Sequence, residues 1–247
     1  MIIFDIETGP LEEEIVLSRV KPFEPPAPPE PFDPSDVKLG NMKDQAKIDA
    51  KIEAERKRRE KEIADHDREV ERARQEWRDK AMADAPLSAV TGRLLAIGYY
   101  ATESGKTVLD IDDDEAAMLG RFWHKYHECR IQGRKMVGHN IFLFDVPFLI
   151  RRSWMLGVAM PDGLVDRRNY LDDRTFADTR RIWQLGDRQA RSSLDLVSRS
   201  LGLDGKLEDV DGSQFAELLS TDRETAEKYL RRDVEISTAV AQRLGLI

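Results

Sequence analysis

The sequence is poor in several residue types, and each shortage excludes a class of protein. Cys129 is the single cysteine among 247 residues, so the chain cannot form an internal disulfide. Such cysteine usage is typical of a reducing compartment. The sequence also lacks an apolar run long enough to cross a bilayer, and its N-terminus lacks the basic flank and apolar core of a signal peptide. We therefore expect a cytoplasmic protein with no membrane partner.

A net basic charge is missing as well. The formal net charge is -8 at pH 7, which argues against a generally basic surface for nucleic acid. The total does not exclude nucleic-acid binding, because local patches and bound cations matter more than the sum. Arginine is frequent between residues 151 and 199, where these side chains either bind phosphate or pair with nearby aspartates. The better phosphate candidates lie close to Ser193: Arg180, Arg181, Arg188 and Arg191.

Glycine and proline are absent between about residues 43 and 85, where acidic and basic residues are nearly balanced. We predict a long charged helix there, roughly 60 Å if unbroken, stabilised by ion pairs four residues apart. A proline-rich segment at residues 21–34 precedes it and is expected to be extended. Together these segments form an insertion over residues 11–85.

One side of the predicted helix has the 3-4 spacing of a short coiled coil. Such a seam indicates an antiparallel helix contact, within the chain or by self-association in a dimer, or a contact with a protein partner. Its residues are Ile63, His66, Val70, Ala73 and Trp77. A second interpretation makes the helix an arm that lies against nucleic acid, although a charge run is usually a solvated face. The basic residues of that arm are Arg56, Lys57, Arg58 and Arg59.

Outside the insertion, residues 1–10 and 86–247 have the pattern of one α/β domain. Strands are indicated at the N-terminus and by GRLLAIGYYA, KTVLDID and KMVGHN. Helices are indicated by DDDEAAMLGRFWHKYHECR, FDVPFLIRRSWMLG, TRRIWQLG, SSLDLVSRSLG and TDRETAEKYLRRDVEISTAVAQRLG. We expect an α/β fold with a mixed β-sheet flanked by helices, in which the first strands are antiparallel.

The first ten residues, MIIFDIETGP, place two carboxylates in an otherwise apolar strand. Successive strand residues point to opposite faces, so Asp5 and Glu7 lie on the same face. Two like charges there raise each other's pKa, and burying them unpaired is costly. A structural network of ion pairs would satisfy them, and so would a bound cation.

Two further carboxylates occur in unusual surroundings. Asp145 lies among aromatic residues where a strand should lead into a helix, and a helix N-cap is its alternative role. Tyr229 and Asp233 are four residues apart in the last predicted helix, so both project from one face. An ordinary surface pair is the alternative for those two residues.

Taken together, the four carboxylates fit a site for two divalent cations, which would neutralise the like charges and use them as ligands. Mg²⁺ or Mn²⁺ is the expected metal, because both prefer hard oxygen ligands and no Cys/His cluster favours zinc. Such a pair stabilises the attacking and leaving oxygens in phosphodiester hydrolysis. The hydroxyl of Tyr229 can orient the attacking water.

The order of these motifs resembles the DEDD superfamily of 3′–5′ exonucleases, which has a ribonuclease H-like fold. Asp5-Ile6-Glu7 matches its first motif, Asp-x-Glu, and Asn140, Phe144 and Asp145 match the second. The third motif has either Tyr four residues or His five residues before its Asp. Tyr229 precedes Asp233 by four, and Lys228 stands five residues before it, which is similar to the tyrosine (DEDDy) subgroup.

Within that subgroup, FDVPFLIRR is similar to the proofreading exonucleases of family B DNA polymerases. Ser193-Leu194-Asp195-Leu196-Val197 resembles their (Ser/Thr)-Leu-x-x-hydrophobic motif, which holds the single-stranded 3′ end. For Ser193 and Leu194, a helix N-cap and a core leucine are the alternative roles. The resemblance implies these substrate contacts: Thr8, Asn140, Phe144, Ser193, Leu194 and Lys206.

The resemblance implies catalysis by Asp5, Glu7, Asp145, Tyr229 and Asp233, the four carboxylates being the metal ligands. No polymerase domain follows and the insertion is unlike the family, so we expect a stand-alone 3′–5′ exonuclease that degrades single-stranded DNA to nucleoside 5′-monophosphates. One alternative is an exoribonuclease with the same site. Another is a non-catalytic nucleic-acid-binding or scaffold protein that uses the helical arm.

Overall fold

A computed structural model describes residues 1–165, 174–205 and 211–247. The chain separates into two compact units, one comprising Met1–Arg19 and Ala83–Ile247, the other comprising Val20–Met82. The first unit contains the β-sheet, and the second consists of the proline-rich segment and most of the long helix. The domain bounds expected from the sequence stay a prediction.

Five strands form one mixed sheet in the order β3-β2-β1-β4-β5. β1 is antiparallel to β2 and β2 to β3, whereas the pairs β1–β4 and β4–β5 are parallel. The strands are β1 (Ile2–Pro10), β2 (Gly92–Ala101), β3 (Lys106–Ile111), β4 (Met136–Gly138) and β5 (Phe176–Asp178). The expected antiparallel first strands are confirmed, and Asp5 and Glu7 lie on the central strand.

The helices of the described ranges follow the predicted order. They are α1 (Glu13–Arg19), α2 (Gln45–Asp84), α3 (Glu115–Ile131), α4 (Asp145–Leu156), α5 (Thr179–Gln184), α6 (Leu194–Ser200), α7 (Phe215–Thr221) and α8 (Arg223–Arg243). Sequence patterns did not indicate the short elements α1, α7 and β5. In the parts of the chain that the structure describes, no helix is long and apolar enough to cross a membrane. The α/β class, with a long helix after the first strand, is confirmed.

One face of the sheet packs against α3 and α4. Phe4 and Ile6 of β1 point to this face, where Phe122 and Phe148 are also fully buried. The ring centroids of Phe4 and Phe122 are 5.2 Å apart in an edge arrangement, a favoured geometry for aromatic pairs. Since strand side chains alternate, this packing turns Asp5 and Glu7 to the opposite face.

The opposite face of the sheet packs against α7 and α8. Ala96 of β2 is buried with Phe215 of α7 and with Tyr229 and Val234 of α8. A Cβ atom on Gly98 would lie only 2.5 Å from Cγ2 of Val234, so a glycine is needed for this close approach. Asp233 therefore lies on the helix that covers the carboxylate-bearing face of the sheet.

A buried ion pair connects α3 and α4. Arg152 is 4% exposed, and its Nη2 lies 2.6 Å from Oε2 of Glu115. The other oxygen of Glu115 accepts hydrogen bonds from Arg152 Nε and from the backbone N–H of Leu94, each at 2.8 Å. Arg152 is thus a structural residue of the core, although it belongs to the arginine-rich part of the sequence.

The proline-rich segment packs along α2 within the second unit. The indole Nε1 of Trp77 donates to the Lys21 carbonyl at 3.1 Å, and the Trp77 ring lies 5.9 Å from that of Phe23. Two arginines of α2 lie over phenylalanine rings, Arg74 over Phe23 at 5.1 Å and Arg56 over Phe32 at 5.4 Å. Trp77 of the predicted seam therefore makes a contact within the chain, with the proline-rich segment instead of a second helix. Self-association stays a prediction.

The basic residues near the middle of α2 pair with acids of the same helix. Arg58 Nη2 lies 3.0 Å from Glu55 Oε1, and Arg58 Nε lies 3.3 Å from Glu62 Oε1. Such exposed pairs contribute about 0.2–0.5 kcal/mol each. This pairing is typical of a solvated helix face, and binding of nucleic acid by this helix stays a prediction.

Candidate metal centre

Three carboxylates from distant parts of the sequence meet on the α8 side of the sheet. Asp5, Glu7 and Asp233 each offer one oxygen, and these three atoms all lie within 4.8 Å of one another. Glu7 and Asp233 are buried, at 8% and 3% exposure, while Asp5 is half-buried. The alternation of β1 supplies two of the groups, and α8 supplies the third.

The donor set fits a hard divalent cation. Carboxylate oxygens are the ligands that Mg²⁺ and Mn²⁺ prefer, and this group contains neither the Cys nor the His ligands typical of zinc. Three carboxylates this close repel one another, and burial strengthens the repulsion because the effective dielectric constant falls. A cation among them would offset that cost, so the chemistry of the site agrees with the predicted cofactor.

Asp145 lies nearby but is not one of the three grouped residues. It is the first residue of α4, and the N-cap is Phe144, so the alternative role of Asp145 as N-cap does not apply. Its pKa is raised well above its usual value, first by burial and next by the negative charge of Asp5. Asp145 is therefore close enough to Asp5 for the two charges to interact, as a fourth ligand would be.

Tyr229 and Glu7 approach the same point of the backbone. A Cβ atom built on Gly212 would lie 3.5 Å from the Tyr229 hydroxyl and 3.9 Å from Glu7 Oε2. Gly212 is the first residue of a 3₁₀ turn, Gly212–Gln214, whose N-terminus is capped by a capping box between Asp211 and Gln214. Sequence reasoning missed Gly212, because a single glycine before a short helix carries no distinctive signal.

Residues 139–144, between β4 and α4, form a turn that we call the Asn140 turn. It is held by Asp178, a buried acid that the sequence analysis did not single out. Asp178 is 3% exposed, and its Oδ1 accepts the backbone N–H of Asn140 at 2.9 Å. Its Oδ2 accepts the N–H of Phe142 at 3.1 Å. Asn140 has a φ of 67°, a left-handed conformation that asparagine tolerates better than most residues. Asp178 also caps α5 by accepting the backbone N–H of Arg180.

Two of the predicted substrate contacts have structural partners. The hydroxyl of Thr8 donates to the Pro86 carbonyl at 2.8 Å, and Thr8 is only 7% exposed. Phe144 is half-buried, with its ring 5.7 Å from that of Phe148. Their contact with substrate stays a prediction.

Ser193 and Leu194 occupy the positions of a helix N-cap and a core leucine. The Ser193 Oγ accepts the N–H of Leu196 at 3.4 Å, and Leu194 is 8% exposed among the apolar residues between α6 and α8. Ser193 itself is exposed, so a cap and a surface contact are compatible there. Lys206 lies outside the described residues.

Comparison with known proteins gives a likeness of fold. No protein-family model and no curated protein matches the sequence. Among solved structures, the chain is similar to the family B DNA polymerase from the hyperthermophilic archaeon Pyrobaculum calidifontis, with a TM-score of 0.51 and 18% identity. The match covers 66% of this chain and 23% of the polymerase chain. Asp5, Glu7 and Asp233 thus meet on a fold that is similar to part of a family B DNA polymerase.

Proposed function

We propose that this chain is a metal-dependent 3′–5′ exonuclease of the tyrosine (DEDDy) subgroup that degrades single-stranded DNA to nucleoside 5′-monophosphates. The convergence of Asp5, Glu7 and Asp233 on the central strand and α8 carries the proposal. Two independent observations support it. The three sequence motifs resemble the proofreading exonucleases of family B DNA polymerases, and the fold is similar to a family B DNA polymerase.

Each residue of the site has a task in such a reaction. Asp5, Glu7, Asp145 and Asp233 would hold Mg²⁺ or Mn²⁺ through their carboxylate oxygens. When bound, these ions lower the pKa of water and stabilise negative charge on a phosphoryl group. The Tyr229 hydroxyl would form a hydrogen bond with the attacking water, as donor or acceptor, and so fix the direction of its attack. That water would lie near Gly212, which is next to both the Tyr229 hydroxyl and Glu7 Oε2.

The substrate strand would lie against the Asn140 turn and the start of α6. Phe144 can stack on an unpaired base, and such stacking is tolerant of sequence. The exposed Ser193 would contact the strand, and so would Lys206, as the sequence resemblance implies. A strand that is already single is the preferred substrate, because no pairing energy opposes its entry.

The direct test is a time course on single-stranded DNA labelled at the 3′ or the 5′ end, in Mg²⁺, Mn²⁺ or EDTA. We expect the 3′ label to be released first as a mononucleotide, and no reaction in EDTA. Asp145→Asn and Asp233→Asn should lower the rate at least 100-fold, on the order of magnitude known for catalytic electrostatics. Asp113→Asn, at an exposed acid outside the site, is the matched control.

Full activity in both site variants, or release of the 5′ label first, would contradict the proposal. The same series on labelled RNA compares the two nucleic acids, because discrimination depends on contacts to the 2′-hydroxyl. Faster digestion of RNA would keep the site and the mechanism but replace DNA as the substrate.

A further inference from the structure

Arg180 connects the Asn140 turn to the segment that precedes α6. Its Nη1 donates to the side-chain Oδ1 of Asn140 at 2.6 Å, and its Nε donates to the Ser192 hydroxyl at 2.9 Å. The backbone N–H groups of Arg180 and Asn140 both donate to Oδ1 of Asp178, each at 2.9 Å. Arg180 and Asn140 are therefore tied together through side chain and backbone.

The chemistry of the arginine decides which way the Asn140 amide faces. A guanidinium group has five N–H donors and no acceptor, so only the amide oxygen of Asn140 can face it. This contact fixes the orientation of an amide whose oxygen and nitrogen are otherwise easily exchanged. The NH₂ group of Asn140 is consequently turned away from Arg180, as a donor.

The surroundings of Arg180 hold it in this position. Ser192 is 5% exposed, and its carbonyl oxygen lies 2.7 Å from Nε2 of His139, the residue before Asn140. The amide nitrogen of Gln184 lies 3.2 Å from the Ser192 hydroxyl. An amide that is already fixed loses little conformational entropy when it binds a partner, which is the physical advantage of preorganisation.

We propose that Arg180 is a positioning residue that presents the Asn140 carboxamide as a hydrogen-bond donor to the substrate strand. The proposal rests on the proposed function for the identity of the substrate, and Arg180 acts through Asn140 without touching the reacting atoms. The NH₂ group would donate to a phosphate, sugar or base oxygen of the terminal nucleotides. The Ser192 hydroxyl gives the guanidinium of Arg180 its second anchor.

A double-mutant cycle between Arg180 and Asn140 tests this mechanism. The variants are Arg180→Met, Asn140→Ala and the double variant, compared by KM and kcat on single-stranded DNA. We expect each single variant to raise KM roughly tenfold while kcat stays within about twofold. The double variant should be no worse than Asn140→Ala alone, because without the amide Arg180 has nothing to present. Arg180→Lys, which keeps a donor, should recover part of the loss.

Arg181 is the matched control for the cycle. Its guanidinium lies over the Phe142 ring at 4.1 Å, so it is close in sequence but has a different partner. The effects of Arg181→Met and Asn140→Ala should multiply, as independent effects do. Multiplying effects for Arg180 and Asn140, or a change in kcat alone, would overturn the proposal.

Folding and catalysis are monitored separately. Thermal unfolding shows whether Arg180→Met is folded, and its Mn²⁺ binding by calorimetry should match that of the wild-type protein. If Arg180→Met does not fold, Ser192→Ala replaces it in the cycle, and its rise in KM should also vanish when Asn140 is alanine. Equilibrium binding of the same oligonucleotide in Ca²⁺ repeats the cycle without turnover. If the effects of Arg180→Met and Asn140→Ala on binding are coupled, the role proposed for Arg180 is supported even if the wild-type protein does not digest DNA. If their effects on the binding free energy are additive, that role is overturned.

Discussion

At the scale of single residues, buried acids are what distinguish this chain from an ordinary α/β protein. Asp5 and Glu7 could be recognised in the sequence, because an apolar strand seldom carries two carboxylates on one face unless a cation or an ion-pair network balances them. Asp178 could not, because an Asp before a helix is common as an N-cap, and it does cap α5. Its second task, holding the Asn140 turn, depends on a contact between segments 38 residues apart.

Replacing Gly212 by alanine is predicted to lower activity without lowering stability. An alanine at an ordinary backbone conformation usually stabilises a protein by about 0.4–1 kcal/mol relative to glycine. The new methyl group would sit 3.5 Å from the Tyr229 hydroxyl and 3.9 Å from Glu7 Oε2, in the space proposed for the water. We expect Gly212→Ala to lose at least about tenfold in kcat with no loss in the free energy of unfolding. Wild-type kcat in this variant would show that the water lies elsewhere.

Arg152 and Arg151 are neighbours in sequence with opposite expected effects. Arg152→Ala leaves Glu115 buried without its charged partner, which should cost about 3–5 kcal/mol in the free energy of unfolding. Arg151 is exposed, and its replacement by alanine should change that free energy by less than about 0.5 kcal/mol. Urea unfolding of both variants measures the difference, and equal values would mean that the Arg152–Glu115 pair adds nothing.

At the scale of elements, the close approach of α8 to β2 positions the site. Gly98 pairs with Asp5 across the β1–β2 ladder and faces Val234, the residue after Asp233. Gly98→Ala would push α8 away from the sheet and should cost about 1–3 kcal/mol as overpacking. We expect weaker Mn²⁺ binding in this variant, measured by calorimetry, because Asp233 moves with α8.

Gly120 is the control for Gly98. It lies in α3, is exposed, and a Cβ atom there would meet nothing within 4 Å. Gly120→Ala should raise the free energy of unfolding by about 0.5–1 kcal/mol, since glycine is a poor helix former. A similar gain in Gly98→Ala would mean that α8 adjusts without cost and does not fix Asp233.

The elements that the sequence missed are all short, although three elements of similar length, α5, α6 and β4, were predicted. β5 has only three residues, and its strand conformation depends on pairing with β4. α1 and α7 have seven residues each, below the length at which a helix is stable without tertiary contacts. The longer elements were predictable because each carries several turns of apolar periodicity or an alternating pattern.

At the scale of the whole molecule, the proposed cations should stabilise the folded chain. A ligand that binds only the folded state at 100 times its Kd adds about 2.7 kcal/mol, which for a protein of this size raises Tm by roughly 5–10 °C. We expect this rise in Mn²⁺ by calorimetric melting, and its loss in Asp233→Asn. Asp113→Asn should show the same rise in Tm as the wild-type protein. A wild-type Tm that Mn²⁺ does not change would contradict cation binding in this site.

In the second unit, α2 and the proline-rich segment contact each other at two points, and the distance between these points must be the same along both segments. Arg74 and Arg56 are 18 positions apart on α2, about 27 Å at the helical rise. Their ring partners Phe23 and Phe32 are nine positions apart, about 28 Å if the segment follows the polyproline rise. Two helical residues thus match one extended residue. Any change in the length of this unit must remove or add residues in that ratio on both sides, so a heptad deleted from α2 requires about three residues deleted between Phe23 and Phe32.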